Sequence, residues 1–198
     1  MKQFEDFLQA FEQAASEPAR REIEAALWKT YGVERAIYMT DLSGFSSLTQ
    51  SHGIVHYLAL IRRMRAIARP IIEAHGGRVV KFEADNCFAV FPAPTAAARA
   101  AIAVNLDCRA KGLMDVSGEH SIVCAGIDYG PMLSLDEEDF FGDPVNVASK
   151  LGEDIAEPGE ILVTGRALED LDGVSASIGE TRRFSVGGIE VTARQLLY

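Results

Sequence analysis

The chain has 198 residues, of which 48% are hydrophobic and 24% are charged, and its formal net charge is −10. This length and composition predict one globular domain with an appendage and exclude a largely disordered chain. The acidic balance argues against a nucleic-acid-binding protein, because such proteins need lysine and arginine to displace counterions from phosphates.

The cysteines and the amino terminus indicate a cytoplasmic protein. Cys87, Cys108 and Cys124 have no pair-like spacing and lie in apolar or helical segments, as expected of core thiols in a reducing compartment. The first segment, "MKQFEDFLQAFEQAASEP", lacks the apolar core of a signal peptide. No apolar run approaches the ~18 residues that a membrane helix needs, so we expect no membrane span.

Two short amphipathic helices are predicted at the start of the chain. Apolar residues recur at helical spacing from Phe4 to Phe11 and, after Pro18, from Ile23 to Tyr31. Such helices more often pack or dimerise than catalyse. We therefore interpret residues 1–34 as a helical extension and residues 35–198 as the main domain.

The main domain is predicted to run strand, helix, hairpin, helix, strand, helix, strand. Residues 54–74 suit a long amphipathic helix, and residues 95–110 an alanine-rich helix that Thr95 is placed to cap. We interpret the basic face of the first helix as solvated, with a dimer or regulatory contact as the alternative; it consists of Arg62, Arg63, Arg65 and Arg69. The order of elements favours an α/β fold of the α+β sandwich type, with ferredoxin-like connections, over a doubly wound parallel sheet.

Two aspartates fall where predicted strands end. Asp41 closes the first strand, and Asp85 lies at the tip of the hairpin "VVKFEADNCFAVF", which a ferredoxin-like order places beside that strand. Adjacent carboxylates repel unless a cation lies between them, and oxygen ligands without histidine or cysteine suit Mg²⁺ or Mn²⁺. Aspartate is also a common turn residue, so either one taken alone is better explained as an ordinary turn residue than as a metal ligand.

Four blocks of the sequence resemble, in order, the signature blocks of the class III nucleotidyl cyclases. They are "MTDLSGFSSL", "GGRVVKFEADNCFAVF", "GIDYG" and "DFFGDPVNVASKL…GEILVT", within residues 36–197. The resemblance implies the ferredoxin-like cyclase catalytic fold and a homodimer with its sites in the cleft between two domains. It also implies that Asp41 and Asp85 hold two divalent cations, Mg²⁺ or Mn²⁺.

The same resemblance assigns residues to the nucleotide. Lys81 and Asp139 occupy the family positions that read the purine, and a lysine donor with an aspartate acceptor complements adenine, which favours ATP. Asn146 matches the residue that orients the ribose. Lys150, one helical turn later, stands where the family has an arginine that stabilises charge on the phosphates.

The sequence departs from the family at several phosphate-binding positions. Lys150 keeps a charge but loses the bidentate fork of arginine, and Gly187 stands where a lysine is common. The arm "GPMLSLDEED" holds no arginine, for which Arg182 and Arg183 are possible substitutes, and Ala84 replaces the usual glycine of the metal turn.

Together these residues predict an adenylate cyclase that converts ATP to 3′,5′-cyclic AMP and pyrophosphate at a homodimer interface. One subunit is expected to supply the metal ligands and its partner the residues that bind the base, ribose and phosphates. The alternatives are a cyclase-like nucleotide-binding or regulatory module with little or no turnover, and a cyclase for another nucleotide.

Overall fold

A computed structural model describes residues 2–114, 122–135 and 138–198 of the chain. Two helices, α1 (Lys2–Gln13) and α2 (Glu17–Tyr31), precede the first strand. The remaining helices are α3 (Phe45–His52), α4 (Ile54–Ala74), α5 (Pro94–Ala110), α6 (Asp143–Lys150), which continues into a π-helical turn (Leu151–Ile155), and α7 (Gly165–Leu168). The strands are β1 (Gly32–Leu42), β2 (Arg78–Glu83), β3 (Asn86–Phe91), β4 (Val123–Leu135), β5 (Asp139–Phe141), β6 (Ile161–Thr164), β7 (Ser177–Val186) and β8 (Ile189–Leu197).

The strands form one eight-stranded sheet in the order β2-β3-β1-β4-β6-β8-β7, with β5 paired to β4. Strand β1 lies at the centre and runs antiparallel to both β3 and β4. Its residue Thr40 pairs with Cys87 of β3, so the end of β1 lies beside the β2–β3 turn. The predicted order of elements, with its hairpin next to the first strand, is confirmed.

The two faces of β1 contribute to different cores. Ala36, Tyr38 and Leu42 point into the main core beneath α4 and α5. Ile37 and Met39 point to the opposite face, into a smaller core that includes Ala148 of α6. Since side chains alternate along a strand, Asp41 is on the α6 side, where the candidate site lies.

The predicted cap of α5 is wrong. Helix α5 begins at Pro94, and Ala93 is its N-cap. Proline is favoured in the first turn of a helix because its missing N–H is not needed there. Thr95 therefore lies inside the helix, and its hydroxyl donates to the carbonyl oxygen of Asp170 instead.

Two glycines allow α6 and its π-helical turn to lie close against the sheet. A Cβ atom on Gly126 of β4 would lie 2.3 Å from the carbonyl oxygen of Ala148, and one on Gly152 would lie 2.8 Å from that of Met39. Real Cβ atoms do not approach so closely. These two contacts fix the height of α6, and hence of Asn146 and Lys150, above the central strands.

The amino-terminal helices pack against β5. The ring of Phe4 is buried, lies edge-on to Tyr31 with centroids 5.3 Å apart, and stacks on Phe141 at 6.4 Å. Phe141 is in the same short strand as Asp139. The extension therefore contacts the segment that carries one of the predicted purine-reading residues.

A buried ionic network joins β4, α6 and α7. The carboxylate of Asp128 is fully buried and accepts hydrogen bonds from Arg166 Nε at 2.7 Å and from the Thr164 hydroxyl at 2.5 Å. Arg166 Nη2 also donates to the second oxygen of Asp128 and, at 2.7 Å, to Asp143, the first residue of α6. Arg166 thus compensates a buried charge and fixes the start of α6.

Replacing Arg166 should therefore destabilise the fold. We expect Arg166→Ala to lower the free energy of unfolding by about 3 kcal/mol, because the Asp128 carboxylate stays buried without its cation. Chemical denaturation followed by circular dichroism measures this loss. Adding Asp128→Asn should recover part of it, since the uncompensated charge is then removed.

Arg183, which is exposed on β7, gives the matched control. Arg183→Ala should change the free energy of unfolding by less than about 0.5 kcal/mol. If Arg166→Ala is as stable as this control, the network does not hold the fold.

Candidate active site

The structure brings the carboxyl groups of Asp41 and Asp85 together. Thr40 of β1 pairs with Cys87 of β3, and the Tyr57 hydroxyl contacts both the Leu42 carbonyl oxygen and the Asp85 carboxylate, so the two aspartates lie at the same end of the sheet. Burial, and next the charge of Asp85, raises the pKa of Asp41 to about 7. Two carboxylates that repel each other in this way form a site that favours a cation between them.

The turn that carries Asp85 is held in an unusual backbone conformation. Ala84 has φ +46°, in the left-handed region, which costs a residue with a Cβ atom about 1–2 kcal/mol. Arg65 of α4 donates a hydrogen bond to the carbonyl oxygen of Ala84. The guanidinium groups of Arg65 and Arg69 also lie over the ring of Phe82, at 5.2 and 5.1 Å from its centroid.

The prediction that the basic face of α4 is solvated is therefore wrong for Arg65. This side chain anchors the turn that carries Asp85 to the helix. Arg63 likewise donates to the carbonyl oxygen of Lys111, at the end of α5, whereas Arg62 is exposed, as expected.

A cavity of about 180 Å³ next to these carboxyls contains both predicted purine-reading residues. Lys81 from β2 and Asp139 from β5 line it, and Met39, Phe88 and Val145 supply apolar wall. Lys81 Nζ lies 3.5 Å from a carboxylate oxygen of Glu83, in an exposed pair that is worth little, so the lysine is available to a ligand. The lysine donor and the aspartate acceptor suit the polar edge of a purine, and the apolar walls suit the faces of its rings.

Asn146 and Lys150 lie on a neighbouring row of α6. Residues four apart share a helix face, and the row formed by Val145 and Ser149 is the one that lines the cavity. Asn146 is exposed, while Lys150 Nζ lies 2.5 Å from Asp154 Oδ2 in an exposed ion pair. The structure thus does not direct these two side chains into the cavity of their own chain.

Glu153 is a cavity residue that sequence reasoning missed. It accepts a hydrogen bond from Asn86 Nδ2 at 3.2 Å, and burial, then Asp154, Glu83 and Asp85, raise its pKa. It follows Asn146 at two-turn spacing, a signal that was readable in the sequence. Its orientation, however, depends on the π-helical turn, which the sequence did not indicate.

Arg182, one of the suggested substitutes for the missing phosphate-binding arginine, already has partners within the chain, and Gly187 has a backbone conformation that disfavours lysine. Arg182 Nη2 lies 2.5 Å from Glu160 Oε1, and Nη1 donates to the Ile155 carbonyl oxygen at 3.3 Å, so this arginine ties β7 to the end of the π-helical turn. Gly187 has φ +57° in the β7–β8 turn, where a lysine would be strained. The departure at Gly187 therefore has a backbone cause.

This fold is that of a nucleotidyl cyclase catalytic domain. The sequence matches the family model described as "Adenylate and Guanylate cyclase catalytic domain" over residues 33–197, so the chain belongs to this family. The predicted class III cyclase fold is confirmed by the solved structures that the chain resembles.

One of these structures is the Adenylate/Guanylate Cyclase/Hydrolase from Silicibacter pomeroyi, with a TM-score of 0.71, 28% identity, and coverage of 84% of this chain and 98% of that one. Another is the dimeric guanylyl cyclase domain of the RhoGC fusion protein from Blastocladiella emersonii, with a TM-score of 0.65, 18% identity, and coverage of 84% and 97%. The second likeness is informative about fold alone.

Among curated relatives, Uncharacterized protein Rv2212 from Mycobacterium tuberculosis is 35% identical over 138 residues, which are 68% of this chain and 33% of the relative. Putative adenylate cyclase 3 from Rhizobium meliloti is 28% identical over 139 residues, 70% of this chain and 23% of the relative. The chain thus spans about a third or less of the length of these two relatives. In the described ranges, no helix combines the length and apolar character needed to cross a bilayer.

Proposed function

We propose that the protein is an adenylate cyclase that converts ATP to 3′,5′-cyclic AMP and pyrophosphate. The observation that carries this proposal is the pair of neighbouring carboxyls of Asp41 and Asp85, with a raised pKa at Asp41, beside a cavity lined by Lys81 and Asp139. Membership of the cyclase family supports a nucleotide triphosphate as substrate. Relatives named adenylate cyclase support the choice of adenine.

The two aspartates fit Mg²⁺ or Mn²⁺, two ions per site, in the proposed enzyme. No cluster of three or more histidine, cysteine or acidic side chains suited to a metal occurs within the described ranges. Mg²⁺ does not need such a cluster, since it binds through one or two carboxylates and completes its shell with water and substrate phosphates. When bound, the ions would lower the pKa of the ribose 3′-hydroxyl and offset charge on the triphosphate.

Lys81 and Asp139 are proposed to select adenine. Lys81 would donate to N1 of the base, and Asp139 would accept from its exocyclic amine. Guanine presents a donor and a carbonyl oxygen at the corresponding positions, so both side chains would meet groups of their own kind. A site of this type rejects a base that leaves its polar groups unpaired.

Asn146 and Lys150 are proposed to act on the nucleotide bound by a partner subunit. Neither residue lines the cavity of its own chain, which supports a site shared between two chains. Asn146 would orient the ribose, and Lys150 would neutralise charge that moves onto the pyrophosphate. To do so Lys150 must leave Asp154, at a cost of about 1 kcal/mol or less for an exposed pair.

The active form is proposed to be a homodimer of domains formed by residues 35–198, with residues 1–34 as a helical extension. A two-fold axis would create two equivalent sites. The buried free thiols of Cys87, Cys108 and Cys124 suit a reducing compartment, so we propose a cytoplasmic location.

A second function, that of a nucleotide-binding module with little turnover, is favoured by the ion pairs that three basic residues form within the chain. Lys150, Arg166 and Arg182 are each held in an ion pair with the chain's own carboxylates. If none of them reaches the phosphates, charge that develops in the transition state would be poorly compensated.

Mixing two inactive variants tests the shared site. Asp41→Asn loses a metal ligand and Asn146→Ala loses the ribose contact, so each protein alone should be inactive. After subunit exchange, about a quarter of the wild-type rate should return, because half of randomly paired dimers are mixed and each holds one intact site of two. Cyclic AMP formation in Mn²⁺ is the measurement.

The matched control mixes Asp41→Asn with Asp85→Asn. Both aspartates belong to the same half-site, so this mixture should remain inactive. If subunit exchange is verified and the first mixture also stays inactive, the site is not shared between two chains.

Lys150→Arg tests whether lysine limits the rate. Arginine restores the fork that binds two phosphate oxygens, and one charge-assisted contact is worth about 1.5–3 kcal/mol. We expect turnover to rise roughly tenfold, with a smaller change in ATP affinity. Lys150→Ala should fall well below wild type.

Lys111 provides the control for this substitution. It forms the same type of ion pair, with Asp107 four residues earlier at 2.7 Å, but on α5. Lys111→Arg should leave turnover unchanged. If turnover of Lys150→Arg falls below that of wild type, lysine does not limit the rate, because it then suits this site better than arginine does.

A further inference from the structure

Tyr57 of α4 contacts both segments that carry the paired aspartates. Its side chain is buried, and its hydroxyl lies 2.6 Å from Asp85 Oδ2 and 3.0 Å from the carbonyl oxygen of Leu42. Leu42 directly follows Asp41 at the end of β1. One hydroxyl therefore touches the end of β1 and the tip of the β2–β3 hairpin.

The geometry of this hydroxyl limits what Asp85 can do. A tyrosine hydroxyl has a single proton to donate, and here both neighbours are acceptors. The shorter contact goes to Asp85, so Oδ2 accepts a hydrogen bond from Tyr57 and Oδ1 lies outside this contact. The carboxylate is thereby held in one rotation about its Cβ–Cγ bond.

Two further contacts keep Tyr57 and the turn in place. The ring of Phe45 packs edge-on against the ring of Tyr57, with centroids 5.0 Å apart. Two turns further along α4, Arg65 donates to the carbonyl oxygen of Ala84, next to Asp85. The same helix thus fixes both the backbone and the carboxylate of the turn.

We propose that Tyr57 is a positioning residue that presents the Asp85 carboxylate to a divalent cation. This inference rests on the proposed function, because it concerns the same carboxylate. Partners that hydrogen-bond to metal ligands hold them in a binding orientation, and their loss typically weakens metal binding about 10–100-fold. The cation is chemically a hard, oxygen-preferring divalent ion such as Mn²⁺.

The test is Mn²⁺ binding to the nucleotide-free full chain, measured from the electron paramagnetic resonance signal of free Mn²⁺. Tyr57→Phe removes the hydroxyl and nothing else, and should weaken binding about tenfold. The Mn²⁺ concentration for half-maximal turnover should rise by a similar factor, while turnover at saturating Mn²⁺ stays near wild type. A purely structural role would not produce this split.

Tyr38→Phe is the matched control. Tyr38 is equally buried, and its hydroxyl has no hydrogen-bond partner in the described part of the chain, so its removal should leave Mn²⁺ affinity within about twofold of wild type. Arg65→Ala is a second test variant that leaves Tyr57 intact. It should also weaken Mn²⁺ binding, since the Ala84 turn is then released from α4.

The outcomes separate this inference from the proposed function. Unchanged Mn²⁺ affinity in Tyr57→Phe overturns the positioning role, whether or not the protein is a cyclase. Weaker Mn²⁺ binding in Tyr57→Phe, in a protein that forms no cyclic nucleotide, supports the positioning role and contradicts the enzyme. A wild-type chain that binds no Mn²⁺ overturns both.

Discussion

The mutual repulsion of Asp41 and Asp85 is the constraint around which the site is built. The pairing of β1 with β3 brings the two carboxyls to the same end of the sheet, and burial adds to the cost of ionising both. A protein that maintains this arrangement has placed unfavourable charges together where a metal ion would relieve the cost.

Helix α4 is the element that holds this arrangement. Arg65 donates a hydrogen bond to the backbone of the left-handed Ala84, and the guanidinium groups of Arg65 and Arg69 pack on the hairpin through Phe82. Helix α6, on the opposite face, is kept close to the sheet by Gly126 and Gly152. The turn that carries Asp85 is therefore held by α4 on one face of the sheet, and the helix that carries Asn146 and Lys150 is held by separate contacts on the other face.

The proximity of Asp41 and Asp85 was predictable because it follows from strand order. A hairpin next to the first strand requires the end of one to meet the tip of the other. Lys81 and Asp139 lining one cavity also agrees with the assignment by resemblance. The capping role of Thr95 was wrong because Pro94 moves the helix start, a competition between two local signals.

Other contacts depend on tertiary packing and leave no local signal. Tyr57 occupies a core-facing position of an amphipathic helix, so its sequence context indicates only burial. The role of its hydroxyl depends on the end of β1 and the tip of the β2–β3 hairpin, which meet only in the folded chain. Likewise, Arg166 lies in the four-residue helix α7, and its buried partner Asp128 lies in strand β4. The ion pair of Lys150 with Asp154, by contrast, was readable as a four-residue spacing on a helix.

The proposed adenylate cyclase activity is tested most directly by identifying the product formed from each nucleoside triphosphate. The purified chain is incubated with Mn²⁺ and ATP, GTP, CTP or UTP separately, and the products are identified by mass spectrometry. An adenylate cyclase should form 3′,5′-cyclic AMP and pyrophosphate from ATP, with far less product from GTP. Binding of ATP without any cyclic product would contradict the enzyme, and cyclic GMP as the main product would contradict the assignment of Lys81 and Asp139 to adenine.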